Sequence, residues 1–247
     1  MPQPQGAPAR RELILVMPVY NEAECISGVV RQWRDAFERL AIDFELLVLN
    51  DGSKDETARE LASFADDPRV RVVNKANSGH GPTILQGYRE AVSRAGWVFQ
   101  VDSDDEMGPE SFAGFWKRRG RYDALFGVRW HREQDGPRRV LSAGSRVLVG
   151  LLFGQGVRDV NVPYRLMRSR VLKPIVEAIP DDTFAPNLLI SGVLGRGRGR
   201  VTNRLVPHEN RKTGTASLDP RKLGRIALLS GRQTLAFMLR FRFKGLA

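Results

Sequence analysis

Four short apolar runs separated by segments of helical periodicity restrict this chain more than any other feature. They are ELILVM (12–17), FELLVLN (44–50), VRVVN (70–74) and WVFQV (97–101). Each has the length and side-chain content of a buried strand. Between the first two, Ile26, Val29, Val30, Trp33, Phe37 and Leu40 recur at helical spacing and predict an amphipathic helix over roughly 22–40. KDETARELASFA (54–65) and PTILQGYREAVSRA (82–95) predict the next two helices. Alternating strands and helices imply an α/β fold, a mostly parallel sheet with helices on both faces. In such sheets ligands bind beyond the carboxyl ends of the strands. PVYNE (18–22), NDGSKD (50–55) and DSDDE (102–106) follow three of the strands, so all three polar motifs are expected at one crevice.

The second half is less regular. YDALFGVR (122–129) and RVTNRLVP (200–207) read as strands, and an apolar helix is expected near 140–153. VLKPIVEAI (171–179) is helical and leads into PDDTFAPNLLISGVLG (180–195), while HREQDGPRR (131–139) and HENRKTGTASL (208–218) read as polar loops. Without internal repeats or a linker, a single domain is expected over 12–219. It is preceded by a disordered, Pro-rich tail (1–11) and followed by a basic amphipathic helical segment (220–247).

Charge narrows the partners. Lys and Arg number 39 against 28 acids, a net charge of +11, which favours phosphorylated substrates, an anionic membrane surface or nucleic acid. GRGRGR (195–200) has no interleaved aromatic residue to stack bases, so no nucleic acid is expected. Cys25 is the one cysteine, which excludes an internal disulfide and suits a reducing compartment. With His80, His131 and His208 it forms no zinc-binding spacing.

Within this basic chain Asp102, Asp104, Asp105 and Glu106 crowd into five positions at the end of the fourth strand. Carboxylates at a sheet's ligand crevice suit a hard divalent ion. Mg²⁺ or Mn²⁺ is held by one or two carboxylates plus substrate phosphate oxygens. Gly79 and Gly81, ahead of a helix, are compatible with close backbone approach to phosphate.

PVYNE, NDGSKD, NSGHGPTILQGYREA and VDSDDEMGPE, in this order and spacing, resemble family 2 glycosyltransferases of the GT-A fold. GVRW, RDVNVPYRLMRSRV and HENRKTGTASL look like the dolichol-phosphate mannose synthase branch and related polyprenyl-phosphate sugar transferases. The resemblance covers roughly residues 12–220. It implies that Pro18, Tyr20 and Glu22 line the nucleotide pocket of a GDP- or UDP-sugar and that Asp51 contacts the base. Asp102 and Asp104 would hold metal and nucleotide, with Glu106 where mannose synthase relatives carry Gln and Asp105 where they carry an apolar residue. It also implies that Arg129, Arg138 and Arg211, with Lys212 beside them, contact phosphates.

Chemistry separates two acceptors. A hydroxyl needs a general base. A phosphate monoester is already largely dianionic at pH 7 and needs a basic clamp instead. Arg129, Arg138, Arg139, Arg165, Arg211 and Lys212 could supply one, which favours a polyprenyl phosphate acceptor and inverting transfer. Asp181 and Asp182 could cap the following helix, or Asp182 could be the base for a glycan or small-molecule hydroxyl. A non-catalytic nucleotide- or membrane-binding module is the third reading. KLGRIALLSGRQTLAFMLRFRFKG (222–245) is interrupted by Arg225, Arg232, Arg240 and Arg242 and predicts an interfacial helix rather than a span. The expectation is therefore a cytoplasmic enzyme, peripheral on the inner membrane face, with a membrane-protein partner or a second copy possible.

Overall fold

The computed structural model describes residues 10–129, 156–196, 200–208 and 223–243. Seven strands form one sheet among these residues: β1 (Arg11–Val19), β2 (Phe44–Asp51), β3 (Val70–Lys75), β4 (Ala95–Val101), β5 (Ala124–Arg129), β6 (Tyr164–Arg168) and β7 (Val201–Val206). The helices are α1 (Ile26–Arg39), α2 (Thr57–Ala62), α3 (His80–Arg94), α4 (Phe112–Arg118), α5 (Ser169–Ala178), α6 (Pro186–Arg196) and α7 (Leu223–Phe243). Strand order is β3-β2-β1-β4-β6-β5-β7. β3, β2, β1 and β4 are mutually parallel, and β5 pairs parallel with β7. β6 runs antiparallel between β4 and β5. All strands but β6 therefore end at the same edge of the sheet.

All eight residues of β2 and Leu13 to Val19 of β1 are buried, as expected of central strands covered on both faces. On one face Trp33 and Phe37 of α1 meet Phe99, Phe112, Phe44 and Tyr164 in an aromatic cluster. Helix α3 covers the other face so closely that a Cβ on Gly87 would lie 2.4 Å from Val16 Cγ1.

The strand β6 was not anticipated. Arg165, its second residue, was one of six basic residues offered for the phosphate clamp, yet the side chain is fully buried. Its guanidinium donates to the carbonyls of Val160, Val162 and Asn187 and lies 5.2 Å from the Phe126 ring centroid. Arg165 stitches the loop before β6 to α6 and cannot reach a substrate.

Helix α7 presents two faces. Thr234, Phe237 and Phe241 are buried, while Leu229, Leu235 and Leu239 are 47%, 51% and 53% exposed beside exposed Arg232 and Arg240. Gln233 docks the helix, accepting from Phe184 N at 3.0 Å and donating to Asp182 O at 3.1 Å. No described helix is long and apolar enough to cross a membrane.

Candidate active site

The shared strand edge gathers the three motifs, as the alternating pattern implies. The loops after β1 and β2 interlock. Asn21 N donates to Ser53 Oγ at 3.0 Å, Lys54 N to Asn21 Oδ1 at 2.8 Å, and Glu22 N to Thr57 Oγ1 at 2.9 Å. Among described residues five have positive φ, and Asn21, Gly52, Gly79 and Asp105 lie in the loops at this edge. Left-handed backbone in non-glycine residues costs energy and concentrates where function fixes the chain. Gly52 also gains from having no side chain, because a Cβ there would lie 2.7 Å from Asn77 N.

Pro18 is buried within β1, whereas Tyr20 is 38% exposed at the rim. Glu22 is buried, with Cys25 Sγ 3.6 Å from its Oε2. Asp51, expected to face the base, has both carboxylate oxygens engaged by the chain itself. Ser78 N and Gly79 N each donate to it at 2.9 Å, and Lys75 forms an ion pair. Burial pushes the Asp51 carboxyl upward, but Lys75, the Ser78 N–H and the Thr83 hydroxyl outweigh it and hold it below its ordinary value. Asp51 thus fixes the loop that leads into α3.

Gly81 was expected to admit phosphate. Its missing side chain also serves packing, since a Cβ would lie 2.1 Å from Phe184 O and 2.5 Å from Thr183 O. The PDDTF loop is consequently pressed against the start of α3. Asp181 pairs with Arg89 of α3, and α6 begins only at Pro186, so neither Asp181 nor Asp182 occupies the cap position.

Asp102 and Asp104 follow β4 directly. Gln100 Nε2 donates to Asp102 Oδ1 at 2.9 Å, and His80 Nε2 lies 3.7 Å from the same oxygen. Desolvation pushes the Asp102 carboxyl upward, against the pull of His80 and Arg129. Asp104 accepts from Glu106 N at 3.3 Å, which closes the acidic turn. His208, just past β7, lies 2.9 Å from Glu106 Oε2. Two histidines that look scattered in sequence therefore meet the acidic cluster. Their only sequence signal is position, one inside NSGHGPT and one opening HENRKTG.

Arg129, at the end of β5, is gripped by Asp159 through Nε–Oδ2 and Nη2–Oδ1 bonds of 2.8 and 2.9 Å. It stands at the edge already forked to a carboxylate. Arg138, Arg139, Arg211, Lys212 and the helix expected near 140–153 lie outside the described residues.

No group of three or more described His, Cys, Asp or Glu residues could by itself hold a metal ion. Two carboxylates with the remaining ligands from a diphosphate is the arrangement Mg²⁺ and Mn²⁺ favour, and a desolvated Asp102 is stabilised by a cation. The residues present fit such an ion bound together with its nucleotide.

The mostly parallel seven-stranded sheet, with its polar loops along one carboxyl edge, has the GT-A fold. The family model "Glycosyl transferase family 2" matches residues 14–176, and the chain belongs to that family. It is 26% identical over 214 residues to undecaprenyl-phosphate 4-deoxy-4-formamido-L-arabinose transferase of Pseudomonas fluorescens (strain Pf0-1), covering 85% of this chain and 61% of that protein. The same enzyme of Shewanella sediminis is 28% identical over 205 residues, covering 81% and 60%. The chain thus spans about three fifths of the length of the curated relatives it matches. Among solved structures, mannosyl-3-phosphoglycerate synthase from Rubrobacter xylanophilus superposes with a TM-score of 0.63 at 16% identity, covering 96% of this chain and 76% of that one. Glucosyl-3-phosphoglycerate synthase from Mycobacterium tuberculosis, in complex with Mn²⁺, UDP-glucose and phosphoglyceric acid, gives 0.60 at 18% identity, covering 92% and 80%.

Proposed function

We propose that this chain is an inverting, metal-dependent glycosyltransferase that moves a sugar from a nucleotide-diphosphate donor to a polyprenyl phosphate at the cytoplasmic membrane face. The observation that carries the reading is Asp102 and Asp104 at the carboxyl end of β4, beside the interlocked loops of β1 and β2. The naming of the sequence relatives as undecaprenyl-phosphate sugar transferases supports the acceptor class. Mn²⁺ and UDP-glucose in a fold neighbour suit the cofactor and donor class.

In this reading Tyr20 and Glu22 border the nucleotide, and Asp51 acts by holding the 77–79 loop against it. A divalent ion bound between Asp102, Asp104 and the diphosphate would neutralise the leaving group. Arg129, held by Asp159, points its remaining guanidinium N–H donors to the phosphates, with Arg138, Arg211 and Lys212 assigned to the same phosphates from sequence. The acceptor phosphate is itself the nucleophile, so no general base is required. The exposed leucines and arginines of α7 suit an anionic lipid surface, which would deliver a lipid acceptor.

A second reading keeps the donor site but takes a hydroxyl acceptor with Asp182 as base. The contact of the 183–184 carbonyls with Gly81, next to His80 and Asp102, favours it. Incubation with UDP- and GDP-sugars, Mn²⁺, and either undecaprenyl phosphate or undecaprenol separates the two. Glycosylated lipid phosphate is expected; product from the alcohol alone would establish the second reading.

A further inference from the structure

We propose that Tyr88, Asn187 and Gln100 form a one-way hydrogen-bond chain that sets the orientation of Asp102. This makes Gln100 a positioning residue for the donor site and rests on the assignment of Asp102 to the cation and diphosphate.

The sheet's α3 face contains an unexpected amount of buried polarity. Gln100, Tyr88 and Arg165 are 0% exposed and Asn187 is 7% exposed. A buried amide without a partner costs about 1–3 kcal/mol, so such groups persist only when satisfied. Here they satisfy one another in one sense only. A carboxylate accepts and cannot donate, so Gln100 must present Nε2 to Asp102 Oδ1, at 2.9 Å. Its Oε1 then faces inward and accepts from Asn187 Nδ2 at 3.2 Å. That leaves Asn187 Oδ1 to accept from the Tyr88 hydroxyl at 2.9 Å, the shorter of its two acceptors, since Gln100 Oε1 lies 3.4 Å from the same hydroxyl. Burial pushes the Tyr88 pKa up, which keeps the hydroxyl protonated as the first donor.

Three elements supply the links: α3 gives Tyr88, α6 gives Asn187 and β4 gives Gln100. Strand β6 locks them together. Arg165 is the register partner of Gln100, and its guanidinium donates to Asn187 O at 3.2 Å and to Ser191 Oγ at 3.3 Å. Every amide dipole in the chain points its positive end toward Asp102. Gln100 and His80 both approach Oδ1, so Oδ2 is the oxygen offered to the cation. Partners behind a metal-binding side chain fix its orientation, and their loss typically weakens metal affinity 10- to 100-fold.

Two variants test this. Gln100→Leu removes the last donor at similar volume. Asn187→Asp is isosteric and replaces the Nδ2 donor facing Gln100 Oε1 with an acceptor, which removes that link and sets the amide's two orientations in competition. Crystal structures should show one Asp102 rotamer in the wild type and a rotated or split carboxylate in at least one variant that folds. Calorimetric titration of Mn²⁺ with UDP, and with GDP in parallel, should show affinity falling roughly 10- to 100-fold in the folded variants, with the kinetic loss in donor KM. An unchanged Asp102 rotamer with Mn²⁺ affinity within two-fold of wild type would overturn the chain. If the wild type itself binds no Mn²⁺ with either nucleotide, the cation assignment fails, while the rotamer comparison still decides whether the chain orients Asp102.

Discussion

His208 Nε2 and Glu106 Oε2 lie 2.9 Å apart, although 102 residues separate them in sequence. The contact ties the end of β7 to the acidic turn after β4, and HENRKTGTASL begins at this histidine. Glu106→Gln retains a hydrogen-bonding partner for His208, whereas Glu106→Ala removes it. Urea unfolding should place Glu106→Gln within about 1 kcal/mol of wild type and Glu106→Ala about 1–3 kcal/mol below it.

The Arg129–Asp159 fork yields a kinetic prediction. A planar guanidinium uses both carboxylate oxygens, and lysine cannot reproduce that geometry. Asp159→Ala should free Arg129 from its fixed position and lower kcat/KM by about 10- to 100-fold, the scale of a misplaced charged group. Arg129→Lys should fall in the same range. Steady-state transfer kinetics check both.

Stability at acid pH should follow Asp51. Its folded pKa lies below the ordinary 3.8, so the stabilisation is present above that value and is lost as pH falls through the folded pKa. Urea midpoints measured from pH 6 down to pH 3 should decline for the wild type. Asp51→Asn should start lower and decline less steeply across the same interval.

Helix α7 predicts lipid binding. Burying a leucine contributes about 1.5–3 kcal/mol, and a basic residue near an anionic surface about 1 kcal/mol. Leu235→Ser combined with Leu239→Ser should reduce sedimentation with phosphatidylglycerol vesicles by roughly 100-fold. Raising the salt should weaken only the arginine contribution, which is screened.

The parallel half of the fold was legible because buried parallel strands are continuous apolar runs and the intervening helices are amphipathic. The convergence of PVYNE, NDGSKD and DSDDE followed from that pattern alone. β6 was not legible, because a five-residue strand with a buried arginine at its second position, YRLMR, looks like a polar turn. Its burial depends on carbonyls of the preceding loop and α6, which no local pattern encodes. The same limit hid His80, His208 and Gln100, whose roles depend on partners brought close by the sheet. Asp181 and Asp182 read as caps from proximity to a helix, but the turn at Pro180 to Thr183 and the pairing with Arg89 use them differently.

The sugar-transferase reading depends above all on the acidic turn after β4 as the cation–diphosphate site. Transfer of labelled sugar to undecaprenyl phosphate by wild type and Asp104→Asn, each with Mn²⁺ and with EDTA, tests it most directly. Product is expected from the wild type with Mn²⁺, none with EDTA, and a loss of at least about 100-fold in Asp104→Asn, the scale of a removed electrostatic stabiliser. Metal-dependent turnover at the wild-type rate in Asp104→Asn would contradict it.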